Sequence, residues 1–311
     1  MNLHSERNML QKALHGNYAV GAFNFGNVET LRAIIDAANE EKSPVILSVS
    51  ESGLKLVTPS YMRQLFGAVL MDSSVPVSIH LDHGKSIEMV KEVLDLGFNS
   101  VMIDGSSLPF QKNIELTQRV VELANRYDAS VEGELGVLAG VEDNVKVSKR
   151  DANYTDPFDA KVFVQTTGVD SLAIAIGTSH GAFKFSGDAQ LRFDILSEIE
   201  KLLHNFPIVL HGASNVPAHI VEMINNNGGK ISGAKGVPED MLKFACQTTS
   251  VCKVNCDTDV RMAYTAKVRE YLNQFPEKYS PRDYLVPARE YVKQEVARKM
   301  REILMSSGKA E

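Results

Sequence analysis

Short apolar, β-rich runs recur along the chain, each separated from the next by a stretch whose apolar positions follow a helical period. The runs are YAVGAFNF, PVILSVS, VPVSIHL, FNSVMID, ASVEGEL, SLAIAIG, FPIVLHG and SVCKVNC. Their apolar residues stand on consecutive positions rather than alternating, as in parallel strands covered by helices. The intervening stretches include NVETLRAIIDAANEE, TPSYMRQLFGAVLMD, SIEMVKEVLDLG, LPFQKNIELTQRVVELANRY, LRFDILSEIEKLLHN and VPAHIVEMINNN, several opening on an Asn, Thr or Ser cap. Eight βα units in 311 residues predict an α/β fold, a single (β/α)8 TIM barrel spanning 1–311. A doubly wound open sheet is the alternative, but no G-x-G-x-x-G follows the first strand.

Two places break the rhythm. After ASVEGELG comes a long polar connection, about 136–157, with the character of an active-site lid rather than a short turn. After the seventh unit, GGKISGAKGVPED precedes another helix and delays the eighth strand. The tail reads as a helical extension over about 283–308, packing on the barrel or on a neighbouring subunit.

Composition narrows the partners. A net charge of −6 offers no basic stripe for nucleic acid, so any phosphate must be gripped by a few placed residues. The first residues lack an apolar run of signal-peptide length and no run elsewhere is membrane-sized, so a cytoplasmic protein without membrane contact is expected. Three cysteines, Cys246, Cys252 and Cys256, form no C-x-x-C pair and read as reduced packing residues.

The site of such a barrel is built at the carboxyl ends of its strands. There the chain places Asn24, Ser50, Asp82 with His83, Asp104, Glu134, His180, His211 and the segment NCDTD. Three imidazoles from three strands, His83, His180 and His211, with carboxylates at neighbouring ends, are the ligand pattern of a catalytic zinc with an open position. Taken singly, each is better read as a hydrogen-bonded strand-end residue; it is the three together that favour a metal. His80 also precedes His83 in an H-x-x-H, but residues three apart on an extended strand face opposite sides, which argues against both being ligands. The segments SHGAFKFSG and HGASN put small residues after two of the histidines, letting backbone N–H groups approach an anion, with Lys184 and Ser214 adding a charge and a hydroxyl. Glycines serving tight turns alone explain these segments equally well. Asp257, Asp259 and Arg261 stand at the end of the last strand and the start of the helix after it, as a cap and a solvated face or as part of a site.

Taken together, HLDHG, SVMIDGS, EGELG, IGTSHGAFKF, VLHGAS and VNCDTD resemble the class II, metal-dependent fructose-bisphosphate aldolases, from VGAFNF to SPRDYLVPARE. The compact length is similar to the class IIB branch. The resemblance implies reversible aldol cleavage of fructose 1,6-bisphosphate to dihydroxyacetone phosphate and glyceraldehyde 3-phosphate, in glycolysis and gluconeogenesis, by a homo-oligomer, dimer or tetramer. It implies Zn2+ on His83, His180 and His211, with Asp104 and Glu134 at a second or displaced metal position. Asp82 and Glu142 become the proton-transfer residues. Gly181, Lys184, Gly212, Ala213 and Ser214 become a cradle for the C1 phosphate, helped by a monovalent cation, Na+ or K+. Asn24, Ser50 and Asn255 become substrate contacts, while Asp257, Thr258, Arg261 and Arg282 hold the far end of the sugar, the last reaching in from a neighbouring subunit. A tagatose-bisphosphate aldolase is the nearest alternative, and relatives of that kind tend to lack the Asp257 and Arg261 pair. A zinc-dependent hydrolase on the same barrel would bring an H-x-H pair on its first strand, where this chain has AFNFGN.

Overall fold

The computed structural model describes residues 3–137, 139–142, 145–147, 153–180, 190–231 and 233–310, with the backbone alone for 139–142, 145–147 and His180. Eleven strands are present among the described residues. They are β1 Val20–Asn24, β2 Val45–Val49, β3 Val77–Gly84, β4 Ser100–Ile103, β5 Ser130–Leu135, β6 Ala139–Glu142, β7 Val145–Val147, β8 Ser171–Ile174, β9 Ser179–His180, β10 Ile208–Leu210 and β11 Val251–Cys256. The helices are α1 Glu6–Gly16, α2 Val28–Glu41, α3 Glu51–Val57, α4 Pro59–Asp72, α5 Ile87–Leu96 and α6 Phe110–Asn125. They continue with α7 Pro157–Thr167, α8 Phe193–Leu202, α9 Ala218–Asn226, α10 Glu239–Thr248, α11 Thr258–Gln274 and α12 Pro281–Glu302.

Eight parallel strands close in the order β1-β11-β10-β8-β5-β4-β3-β2, each of the eight predicted runs supplying one. Val, Ile, Leu and Phe from the outer faces of these strands pack under the amphipathic helices and form the main core. Side-chain caps start several helices as the sequence suggests: Asn27 accepts from the Thr30 N–H in a capping box, and Ser86 accepts from the Met89 N–H. Among the described residues no helix is long and apolar enough to cross a membrane.

Three features depart from the expected plan. The long connection after β5 contains β6 and β7, an antiparallel pair, and β6 also pairs in parallel with β9, Gly140 opposite His180. The segment before β1 is a helix, α1, whose Met9, Leu10 and Ala13 pack on Tyr18, Val20, Ile46 and Cys252. The C-terminal extension is helical from Pro281, stops at Glu302, and packs on its own barrel against α2 and α11. Its Lys299, almost fully buried, pairs with Asp259 at the start of α11.

Candidate active site

His83 stands on β3 in a left-handed backbone conformation, φ 49°, where the pairing of β3 with β4 shifts between Leu81 and Gly84. This bulge corrects the expectation that His80 and His83 face opposite sides. An extra residue breaks the pleat, so His80, Asp82 and His83 all point into the barrel, at successive depths. The strand itself continues to Gly84, three residues beyond Leu81, where the apolar run suggested its end.

At the rim, His83 Nε2 lies 2.9 Å from His211 Nδ1, the rings meeting edge to face with centroids 4.6 Å apart. Asp82, only 3% exposed, has an oxygen 3.9 Å from each of these nitrogens. On the other side of the His83 ring, Nδ1 is 3.1 Å from Asp104 Oδ2 and 3.7 Å from Glu134 Oε2. Two groups of ligand-competent atoms therefore share His83: Asp82, His83 and His211, and His83, Asp104 and Glu134, the atoms of each group within 4.8 Å of one another. Imidazole nitrogens with carboxylate oxygens suit zinc or another borderline divalent ion. Burial works against a charge on both kinds of group. It holds His211 below the usual histidine range, in the neutral form a metal requires, with Glu132 only partly offsetting it. At Asp104 the burial is outweighed by hydrogen bonds from His83 and Ser106, which keep its carboxyl well below the carboxylate norm.

Asp82 is aimed by two amides. Asn24 Nδ2 donates to Oδ2 at 2.8 Å and Asn255 Nδ2 donates to Oδ1 at 3.0 Å. The remaining amide oxygens, Asn24 Oδ1 and Asn255 Oδ1, are buried with no hydrogen-bond partner among the described residues. A buried acceptor left unmade costs on the order of 1–3 kcal/mol, so both oxygens are suited to accept from a donor entering the barrel mouth.

Beneath this layer lies a second polar layer that strand-end reasoning missed. Lys253, fully buried on β11, donates to Glu132 Oε2 at 2.6 Å, sits 3.0 Å from His80 Nε2 and 3.6 Å from Glu6 Oε1. β11 neighbours neither β3 nor β5, so these contacts cross the barrel interior. His80 Nδ1 also lies 2.7 Å from Ser100 Oγ, and His80 is no part of either ligand group among the described residues. The alternation within VEGEL was the available signal: Glu132 and Glu134 share a face two residues apart, so an inward Glu134 implies an inward Glu132.

Around the rim, Gly212 has φ 59°, and a Cβ there would come 2.7 Å from the Ser179 backbone, so only glycine lets the chain after β10 lie against β9. Ala213 and Ser214 follow, both buried, and a Cβ on Gly236 would press to 2.3 Å of the Ser214 carbonyl oxygen. Ser50 caps α3 through Gly53 N–H and bonds Ser52 Oγ at 2.9 Å, without a bond into the ligand groups. Asp257 occupies the first position before α11 without capping it and instead pairs with Arg261 one turn on; Thr258 is buried, while the Arg261 side chain is 65% exposed. Arg282 is exposed on the first turn of α12, outside both ligand groups. Gly181 and Lys184 lie outside the described residues, as do the side chains of His180 and Glu142, whose backbones belong to β9 and β6.

A family model described as fructose-bisphosphate aldolase class-II matches residues 4–309. Fructose-bisphosphate aldolases of Treponema pallidum and Thermus caldophilus are 45% and 46% identical, covering 100% and 97% of this chain and 98% of each relative. The crystal structure of the YdjI aldolase from Escherichia coli K12 superposes with a TM-score of 0.81 at 30% identity, covering all of both chains.

Proposed function

The chain belongs to the class-II fructose-bisphosphate aldolase family, and on that premise we propose how its own residues share the reversible cleavage of fructose 1,6-bisphosphate. The family is metal-dependent, and the two ligand groups at the rim fit such an ion by donor type and spacing. In our reading it is Zn2+, which His83, His211 and His180 would hold, with Asp104 and Glu134 as a further pair of donors beside His83. When bound, the ion acts as a Lewis acid for the negative charge that develops on the C2 oxygen as the C3–C4 bond breaks.

Asp82 takes the proton from the C4 hydroxyl in cleavage and returns it in condensation. Its carboxylate is already oriented by Asn24 and Asn255, so little reorganisation is needed when substrate arrives. Glu142, on the β6–β7 hairpin, then delivers a proton to the enediolate carbon of dihydroxyacetone phosphate once the connection has closed and excluded water. Gly181, Lys184, Gly212, Ala213 and Ser214 cradle the C1 phosphate, with Na+ or K+ beside it. Asp257, Thr258 and Arg261 hold the other end, and Arg282, exposed in a single copy, reaches the site of a partner in a homo-oligomeric, cytoplasmic enzyme.

The observation that carries this reading is the meeting of His83 Nε2 and His211 Nδ1 beside a carboxylate held by two amides. Metal analysis paired with aldol cleavage before and after chelation tests it. Activity that falls with the metal and returns on adding zinc is expected; undiminished activity without metal would overturn it.

A further inference from the structure

We propose that Glu132 is a positioning residue that fixes His211 as its Nε2–H tautomer and so aims the Nδ1 lone pair at the metal position. The inference rests on the metal-centre reading above. His211 Nε2 lies 2.6 Å from Glu132 Oε1, and both residues are about 1% exposed. Lys253 donates to the other carboxylate oxygen at 2.6 Å and has no route to solvent, so Glu132 is ionised and has no proton to give. The proton in the Glu132 contact is therefore on His211 Nε2, leaving Nδ1 as the acceptor of a neutral ring.

A second chain of bonds reaches the same assignment from the opposite side. Asp82 accepts the Asn255 amide through Oδ1, which orients that amide with its NH2 inward. The same NH2 is 3.2 Å from His211 Nδ1 and meets it as a donor, which again requires an unprotonated Nδ1.

Glu132 is more than a counter-ion for Lys253. Glu6 lies 3.6 Å from the same ammonium and 3.5 Å from His80 Nδ1, so Lys253 is shared between two carboxylates, and Glu132 keeps its second oxygen for His211. A carboxylate on the far nitrogen of a ligating imidazole both orients the ring and raises its basicity, and losing such a partner typically weakens metal binding by about 10–100-fold.

The variant Glu132→Gln separates this role from a structural one. It is nearly isosteric, and its amide still bonds both neighbours: the oxygen takes the Lys253 donor and the NH2 turns to His211. That arrangement reverses the tautomer while preserving the packing. In 15N-histidine-labelled, metal-free protein, long-range 1H–15N correlation should show His211 protonated at Nε2 in the wild type and at Nδ1 in Glu132→Gln. Zinc affinity, measured by competition with a chromophoric chelator, should fall about 10–100-fold in the variant, with KM for fructose 1,6-bisphosphate unchanged in zinc-saturated enzyme. A wild-type His211 protonated at Nδ1, or a folded variant with unaltered tautomer and zinc affinity, overturns the proposal. Absence of zinc binding by the wild type would instead overturn the metal-centre reading, and the tautomer measurement, made without metal, still decides the role of Glu132.

Discussion

His83 Nε2 and His211 Nδ1 face each other at 2.9 Å across the barrel mouth, one carried by a bulge on β3 and the other by the first residue after β10. Two ring nitrogens turned towards each other at this distance need a shared proton or a shared cation between them. Replacing His83 by Ala should therefore empty the metal centre and lower cleavage by roughly a thousandfold or more, the worth of several kcal/mol of charge stabilisation. Elemental analysis with turnover checks this, and a variant that keeps its zinc and most of its rate removes His83 from the ligand set.

Asp82 separates the proton-transfer step from metal binding. Its two amide partners come from β1 and β11, strands that carry none of the three proposed histidine ligands, so Asp82→Ala should leave zinc bound by the histidines while kcat falls about 10²–10⁴-fold, the usual worth of a placed acid–base group. Near-wild-type turnover would show that another group moves the C4 proton.

Arg261 is the test of substrate end recognition. Its exposed guanidinium, tethered by Asp257, is free of packing duties, so Arg261→Ala should fold normally. A charged hydrogen bond of about 1.5–3 kcal/mol made in ground and transition state alike predicts a KM raised about tenfold or more with kcat little changed. Comparing fructose and tagatose 1,6-bisphosphates in the same assay checks the further expectation that the preference for fructose narrows.

Glu6 predicts an acid limit to stability. Burial opposes its ionisation, yet Lys253 and His80 outweigh this and hold the carboxyl at about 2 against an ordinary 4.5. A carboxyl depressed on folding stabilises the native state above its unfolded value, and that contribution, about 3 kcal/mol, is lost as pH falls from 4.5 towards 2. Glu132, which faces the same lysine and is depressed by it, adds in the same direction. Urea unfolding at pH 7, 5 and 3 should show Glu6→Gln less stable at pH 7 and less sensitive to acid than wild type; parallel curves would deny Glu6 this role.

The three cysteines are free and buried. Burial pushes the Cys246 thiol up to about 12 and raises that of Cys252 as well, so neither forms the reactive thiolate at neutral pH. A thiol reagent at pH 8 should find none of the three in the native protein and all three after denaturation. Rapid modification of Cys256 in native enzyme, with loss of activity, would instead mark it as a sensitive point of the site.

The barrel was legible because parallel strands under helices carry consecutive apolar residues, and eight such runs leave few alternatives. The rim groups were legible because a run that ends in Asp82 and His83, or in His211, breaks a hydrophobic pattern for no packing reason. What could not be read was depth. Lys253 lies inside an apolar run, where a single charge looks like an outward residue, and only the folded barrel shows it meeting Glu132. The bulge at His83 was equally hidden, since nothing in HLDHG announces a left-handed residue other than glycine. Nor does the N-terminal segment reveal that Glu6 enters the barrel, because the pairing that draws it in comes from β11 at the other end of the chain.

That pairing bears on how the chain folds. Lys253 meets Glu132 across 121 residues of sequence and His80 across 173, and Glu6 joins them from the first helix. A sheet that curls shut before all of these have arrived encloses an unmatched charge at a cost of several kcal/mol. Early closure is thus penalised, and half-barrels should stay open until β11 and α1 dock together. The polar floor then acts as a checkpoint on the order of assembly, making closure late, concerted and slow in the manner of topologies ruled by distant contacts.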